Sequence, residues 1–315
     1  MKHLNRPDAN KSMLDKKSFL VLALLIMLLG IGIAFTSNAS EKESSSLSTK
    51  SLSFNEDWQV PTSLYGEPLQ VAKAKFVTGV YEGRPVIALR LMMSAGWYSY
   101  WYFPGAAGIA PRFEWASSPY ISAGEPLFLP PKRFVEPGGP TYGYDGETVI
   151  FIPFTFNDTF ENGAKTAFPL SLTLTLGLCK DICIPASFIF SERITLKDIR
   201  KSPAQIWLNK ALSALPKPAN NKLFVKEVIF SENSLQVAIA GENLTKPDVF
   251  IAGRDGDFFD VPEIISTSPK PWIFKVSAVP ADGNFSERVL EFVVEDISGA
   301  VFQTYQVQSK KPVNE

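Results

Sequence analysis

From residue 58 onward, short apolar runs alternate with glycine- and proline-rich punctuation. Stretches rich in β-branched and aromatic residues at 72–76, 86–93 and 149–156 are separated by Gly79, Gly83-Arg84-Pro85, Pro104-Gly105 and Pro137-Gly138-Gly139-Pro140. That spacing predicts short strands joined by turns at those residues, and hence a sandwich. Residues 170–178 alternate Leu with Ser, Thr and Gly in strand fashion, and residues 187–196 resume an apolar run. Lys180-Asp181-Ile182 therefore reads as a three-residue hairpin loop with Cys179 and Cys183 facing each other at its neck.

The period changes after residue 196, where Ile206, Leu208, Leu212 and Leu215 recur at roughly helical spacing. Ser202 as N-cap, Pro203 at the first helical position and Pro216-Lys217-Pro218 as terminator predict one connecting helix of about three turns. Six further strands are predicted at 225–230, 234–240, 248–252, 272–276, 289–294 and 300–307, with turns at Gly253-Arg254-Asp255-Gly256-Asp257 and Asp282-Gly283-Asn284. At the other end, residues 1–18 carry a positive excess and residues 19–35 are apolar without a charge, the pattern of an export segment. It serves as a cleaved signal peptide, with Ser37-Asn38-Ala39 favouring cleavage after Ala39, or as an uncleaved anchor. The Ser/Glu/Lys-rich stretch that follows predicts a disordered tether. The expected organisation is 1–40 signal or anchor, 41–57 tether, 58–197 a sandwich with the cysteine pair, 198–221 a helical linker, and 222–310 a second sandwich.

Composition sharpens this picture. Among 315 residues, 24 Pro and 24 Phe favour an all-β fold, and a 45% hydrophobic share can build proper cores without help from crosslinks. A net charge of −1 with scattered signs provides no basic stripe, so no nucleic-acid partner is expected. The single histidine is His3, ahead of the export segment, which removes Ser-His-Asp and Cys-His catalysis and histidine metal sites from the exported part. No cofactor and no metal site is expected, although two thiolates assisted by Met92-Met93 leave Cu(I) binding as an alternative.

The candidate chemistry is therefore Cys179 and Cys183, the only cysteines. In an oxidising compartment two close cysteines often form an inert staple. A loop of three intervening residues, however, removes little unfolded-state entropy, and bridges across short loops tend to be exposed and exchangeable. Lys180 favours a Cys179 thiolate and Asp181 opposes it, so the direction of any reactivity shift stays open.

Several motifs in order strengthen the second reading. Gly96-Trp97-Tyr98-Ser99-Tyr100-Trp101 is followed by Pro104-Gly105-Ala106-Ala107-Gly108-Ile109-Ala110-Pro111-Arg112-Phe113-Glu114-Trp115, Phe134, Gly143-Tyr144 and Cys179-Lys180-Asp181-Ile182-Cys183-Ile184-Pro185. Together they resemble the periplasmic N-terminal region of ScsB-type, DsbD-related disulfide reductases over residues from about 60 to 195, and the second β module resembles the next ScsB module more loosely. The resemblance implies two immunoglobulin-like β-sandwiches, the first with Cys179 and Cys183 as a redox-active pair. Such a pair takes electrons from a thioredoxin-like or DsbD-type membrane donor and passes them to periplasmic thiol-disulfide proteins. In DsbD itself the cysteines lie further apart, and full-length relatives continue into membrane and thioredoxin domains, so a donor acting in trans is expected. A loop shields the redox pair in such relatives, whereas residues 97–103 here read as core and inter-sheet packing. The expected location is the periplasm, tethered to the inner membrane if residues 19–35 are retained. The alternatives are a non-enzymatic envelope adaptor with a structural disulfide and a Cu(I)-binding copper-tolerance protein.

Overall fold

The computed structural model describes residues 58–309 apart from 117, 119, 137, 158–166 and 268–270. The expected export segment and tether lie outside the described residues. Among the described residues no helix is long and apolar enough to cross a membrane.

The first sandwich runs through β1 (Thr62–Ser63), β2 (Ala72–Tyr81), β3 (Arg84–Met93), β4 (Tyr98–Gly105), β5 (Arg112–Trp115) and β6 (Ile121–Ala123). It continues with β7 (Leu127–Phe128), β8 (Lys132–Glu136), β9 (Gly139–Asp145), β10 (Glu147–Phe156), β11 (Ala167–Cys179) and β12 (Cys183–Thr195). One sheet is ordered β1-β12-β11-β4-β9-β8, with β5 added to β11, and the other is ordered β2-β3-β10-β6, with β7 added to β10. The inward alternation of Leu170, Leu172, Leu174 and Leu176 meets Phe76, Leu89 and Ile152 from the opposing sheet in a common core. The reverse face of β2, β3 and β10 is also buried, because Val77, Ala88 and Phe151 pack under Leu208, Leu212 and Leu215. Burial on both faces explains why these strands read as continuous apolar runs.

Two short helices, not one, follow: α1 (Leu196–Arg200) and α2 (Gln205–Leu212). A capping box at the end of β12 starts α1, with Thr195 Oγ1 accepting from the Asp198 N–H and Asp198 accepting from the Thr195 N–H. Ser202 and Pro203 fall in the break between the helices, since a residue before proline is pushed out of helical geometry. The Ser202 hydroxyl caps the N–H of Ala204 there, while α2 begins without a side-chain cap.

Gly79, expected as a turn, lies inside β2. A Cβ at this position would collide with Leu208 and Gln205 of α2, so glycine here permits a close approach of helix to strand. The Gln205 side chain then donates to the Val80 carbonyl and accepts from its N–H, both at 3.0 Å, completing a strand-like pair. The expected turn at Gly83 does form, with Glu82 and Gly83 both at positive φ as a two-residue hairpin loop requires.

The second sandwich comprises β13 (Lys217–Pro218), β14 (Leu223–Ser231), β15 (Ser234–Gly241), β16 (Asp248–Ala252), β17 (Phe258–Phe259) and β18 (Glu263–Ser266). It ends with β19 (Trp272–Val279), β20 (Val289–Asp296), β21 (Gly299–Gln306) and β22 (Gln308–Ser309). Its sheets are β13-β21-β20-β16 and β17-β19-β15-β14-β22, with β18 added to β19. The architecture is all-β, immunoglobulin-like in both halves, with the two helices between them. The described residues fall in one compact unit, and the two sandwiches meet through side chains. Tyr102 donates to Glu291 at 2.6 Å, and the ring pairs Phe103–Phe259 and Tyr142–Phe250 each sit 5.7 Å apart.

Candidate functional site

The long β11–β12 hairpin keeps perfect register from Ala167 opposite Thr195 to Cys179 opposite Cys183. Lys180, Asp181 and Ile182 form the loop, closed by the Lys180 N–H donating to the Ile182 carbonyl at 3.2 Å. Cys179 and Cys183 are joined as a disulfide across this last pair, with Cα atoms 4.1 Å apart. Because Leu170 to Leu178 take the inward positions, Cys179 belongs to the outward series with Thr175 and Gly177. The two cysteines are unequal: Cys179 is only 1% exposed as a residue, whereas Cys183 is exposed.

Strand β4 lies against the pair, since Tyr98 is the ladder partner of Cys179. Two residues on, and so on the same face, Tyr100 places its hydroxyl 2.9 Å from the Cys183 Sγ, and with sulfur bonded in the disulfide the hydroxyl is the donor. Two glycines create the slot for this ring. A Cβ at Gly108 would stand 2.5 Å from it and one at Gly177 3.1 Å, so side chains there would displace the tyrosine.

Behind Tyr100, Tyr98 meets it edge-on at 5.5 Å, stacks on Phe134 of β8 at 4.7 Å, and hydrogen-bonds through its hydroxyl to the Glu136 carboxylate. Burial, then the bond to Glu136, pushes the Tyr98 hydroxyl pKa far up. Burial also raises that of Tyr100 against an opposing effect of Tyr98. Both hydroxyls therefore stay protonated at neutral pH and remain donors. Lys180 is exposed and extends past Gly96.

The expectation that residues 97–103 serve packing holds for one face only. Trp101 and Phe103 are buried in the core, whereas Tyr98 and Tyr100 point the other way and cover the disulfide. The participation of Tyr100, Tyr98 and Glu136 was not anticipated. The i, i+2 spacing of the tyrosines marked a shared face, but only the pairing of β4 with β11 and β9 reveals which face it is.

Comparison with known proteins bears on the fold that carries this site. Residues 66–192 match the family model described as thiol:disulfide interchange protein DsbD, N-terminal. The N-terminal periplasmic domain of ScsB from Proteus mirabilis superposes with a TM-score of 0.65 at 20% identity, covering 81% of this chain and 98% of that one. An I-band fragment of titin aligns with a TM-score of only 0.17 at 8% identity, too remote to support any argument. No curated protein matches the chain. Residues 66–192 thus match the model of the DsbD N-terminal family, and the chain shares the fold of the ScsB N-terminal periplasmic domain.

Proposed function

We propose that this chain is a periplasmic thiol-disulfide exchange component that carries electrons from a thioredoxin-like donor to envelope thiol proteins through Cys179 and Cys183. The observation that carries the reading is the asymmetry of the pair: an exposed residue, Cys183, joined to a buried one, Cys179, with the Tyr100 hydroxyl on the sulfur of the exposed residue. In this reading residues 58–197 perform the exchange and residues 222–310 support them. The match of residues 66–192 to the DsbD N-terminal family model points the same way.

In the loading half-reaction, a donor thiolate attacks Cys183 Sγ along the disulfide axis. The Cys179–Cys183 bond breaks, its electron pair leaves on Cys179, and a mixed disulfide joins donor and Cys183. The donor's second thiolate then attacks its own sulfur and releases Cys183 as a thiolate, so the donor departs oxidised. Two electrons and, after protonation, two protons have reached this chain. Delivery reverses the order, with Cys183 attacking an acceptor disulfide and Cys179 resolving the mixed species. The Tyr100 hydroxyl stabilises the Cys183 thiolate as it forms.

Trapping tests this directly. Cys179→Ser, incubated with a thioredoxin-like protein bearing an activated single cysteine, is expected to accumulate a mixed disulfide through Cys183, while Cys183→Ser, left with a buried thiol, is not. Equal trapping by both variants, or by neither, would sink the assignment.

A further inference from the structure

The second sandwich contains no cysteine, yet it grips the element that covers the disulfide. Among the described residues strand β8 is the last of its sheet and has β9 as its one ladder neighbour, so its own sheet holds it on one side. Its residues divide between faces: Phe134 and Glu136 meet Tyr98, and Arg133 points the opposite way. There the Arg133 guanidinium donates to both oxygens of Asp248 at 2.9 and 3.0 Å and to the Val249 carbonyl at 2.8 Å. It also lies over the Phe250 ring at 4.8 Å and over that of Tyr142, its cross-strand partner, at 5.7 Å. The Arg133 side chain is only 14% exposed although Asp248 is 42% exposed, so the fork is shielded from solvent on its arginine side, unlike a pair exposed at both ends. A second grip lies at the start of β9, where a Cβ on Gly139 would come within 2.9 Å of the Phe258 ring.

These contacts form an unbroken line from the second sandwich to the reactive sulfur: Asp248 to Arg133, its chain neighbour Phe134 to Tyr98, Tyr98 to Tyr100, and Tyr100 to Cys183. We propose that Arg133 and Asp248 are positioning residues through which the second sandwich holds the β8–β9 hairpin against the tyrosine pair and so limits how fast an outside thiol reaches Cys183. The inference gives the second sandwich a task within the exchange reading on which it rests. Neither residue touches the sulfurs. Their effect passes through the hairpin.

The test is the rate at which dithiothreitol reduces the disulfide of the full-length chain, well below its melting temperature. Arg133→Ala and Asp248→Ala are expected to accelerate reduction by at least about five-fold, the population change that loss of one modest contact produces. Arg133→Lys, which keeps the charge but not the fork, is expected to fall between them and wild type. The exchanged pair Arg133→Asp with Asp248→Arg is expected to return most of the way to the wild-type rate. Val237→Ala, in the fully buried core of the second sandwich and away from the hairpin, controls for lost stability and is expected to leave the rate unchanged. Wild-type rates in both alanine variants, or equal acceleration by Val237→Ala, would overturn the proposal while leaving the exchange reading intact. A wild-type disulfide that resists dithiothreitol while Arg133→Ala is readily reduced would support the clamp and remove the exchange reading instead. Resistance in every variant would overturn both.

Discussion

Replacing Tyr100 by Phe removes one oxygen and leaves the ring in its slot between Gly108 and Gly177. What is lost is the donor 2.9 Å from Cys183 Sγ. In the disulfide state this is a bond between neutral groups, with a net effect of about 0.5–1.5 kcal/mol. Once the pair is reduced and Cys183 ionises, the same hydroxyl faces a thiolate, and hydrogen bonds to charged groups contribute about 1.5–3 kcal/mol. At about 1.4 kcal/mol per pKa unit, the Cys183 thiol of Tyr100→Phe should titrate about 1–2 units higher than that of wild type. Because the reduced form loses about 1 kcal/mol more than the oxidised form, the reduction potential should fall by about 20 mV. The pH dependence of iodoacetamide alkylation of Cys183 in the reduced protein, followed by mass, gives the midpoint. An unchanged midpoint would refute the reasoning, since Tyr100 would then be only a packing residue. A midpoint moved to lower pH would mean that the hydroxyl acts as an acceptor.

Two further outcomes follow from the ionisable groups of the second sandwich. Asp257, whose side chain is fully buried, accepts from the Arg254 and Ala281 N–H groups and from Arg288, so Asp257→Ala leaves two backbone donors without their acceptor and the buried Arg288 guanidinium with only the half-exposed Asp282 as carboxylate partner, and should cost about 3 kcal/mol in chemical denaturation. A loss below about 1 kcal/mol, the scale of a surface pair, would show that the network contributes little. Glu295 has its pKa raised by burial first and by Asp248 second. Its contribution to stability is thus present below the ordinary carboxylate range and lost as pH rises through the raised value. Glu295→Gln should therefore be more stable than wild type at neutral pH, with the difference closing in acid, and parallel stability curves would contradict this.

The β11–β12 hairpin was legible in the sequence because three signals agree there: inward leucines at every second position, a short polar loop, and cysteines placed to face each other. The strands of the second sandwich near 234–240, 248–252 and 289–294 were legible for the same reason, since clear apolar runs end at Gly/Asp/Asn turns. Strands β8 and β9 were not, because Lys132–Glu136 and Gly139–Asp145 are rich in polar, glycine and proline positions and become strands by pairing with each other and with β4. Gly79 misled because glycine marks both a turn and a close approach, and only the presence of Leu208 above it decides between them. The single expected helix divides because Thr195 and Asp198 form a capping box at the strand end, ahead of the Ser202-Pro203 signal. As for the site, the sulfurs were visible in the sequence and their tyrosine cover was not. Which aromatic residues face the disulfide depends on the pairing of β4 with β11, a long-range register that residue pattern alone leaves undetermined.

The central claim is that Cys179–Cys183 is an exchangeable pair entered at Cys183, not a staple. By the chain-entropy model, closing so short a loop stabilises the fold by about 2 kcal/mol, well below the about 4.7 kcal/mol of a 100-residue loop. The most direct measurement is the equilibrium reduction potential of the pair in dithiol-disulfide buffers, read by alkylation and mass. The account predicts a value above about −300 mV, within reach of thioredoxin-like donors. A value far below that would identify an inert crosslink and contradict it.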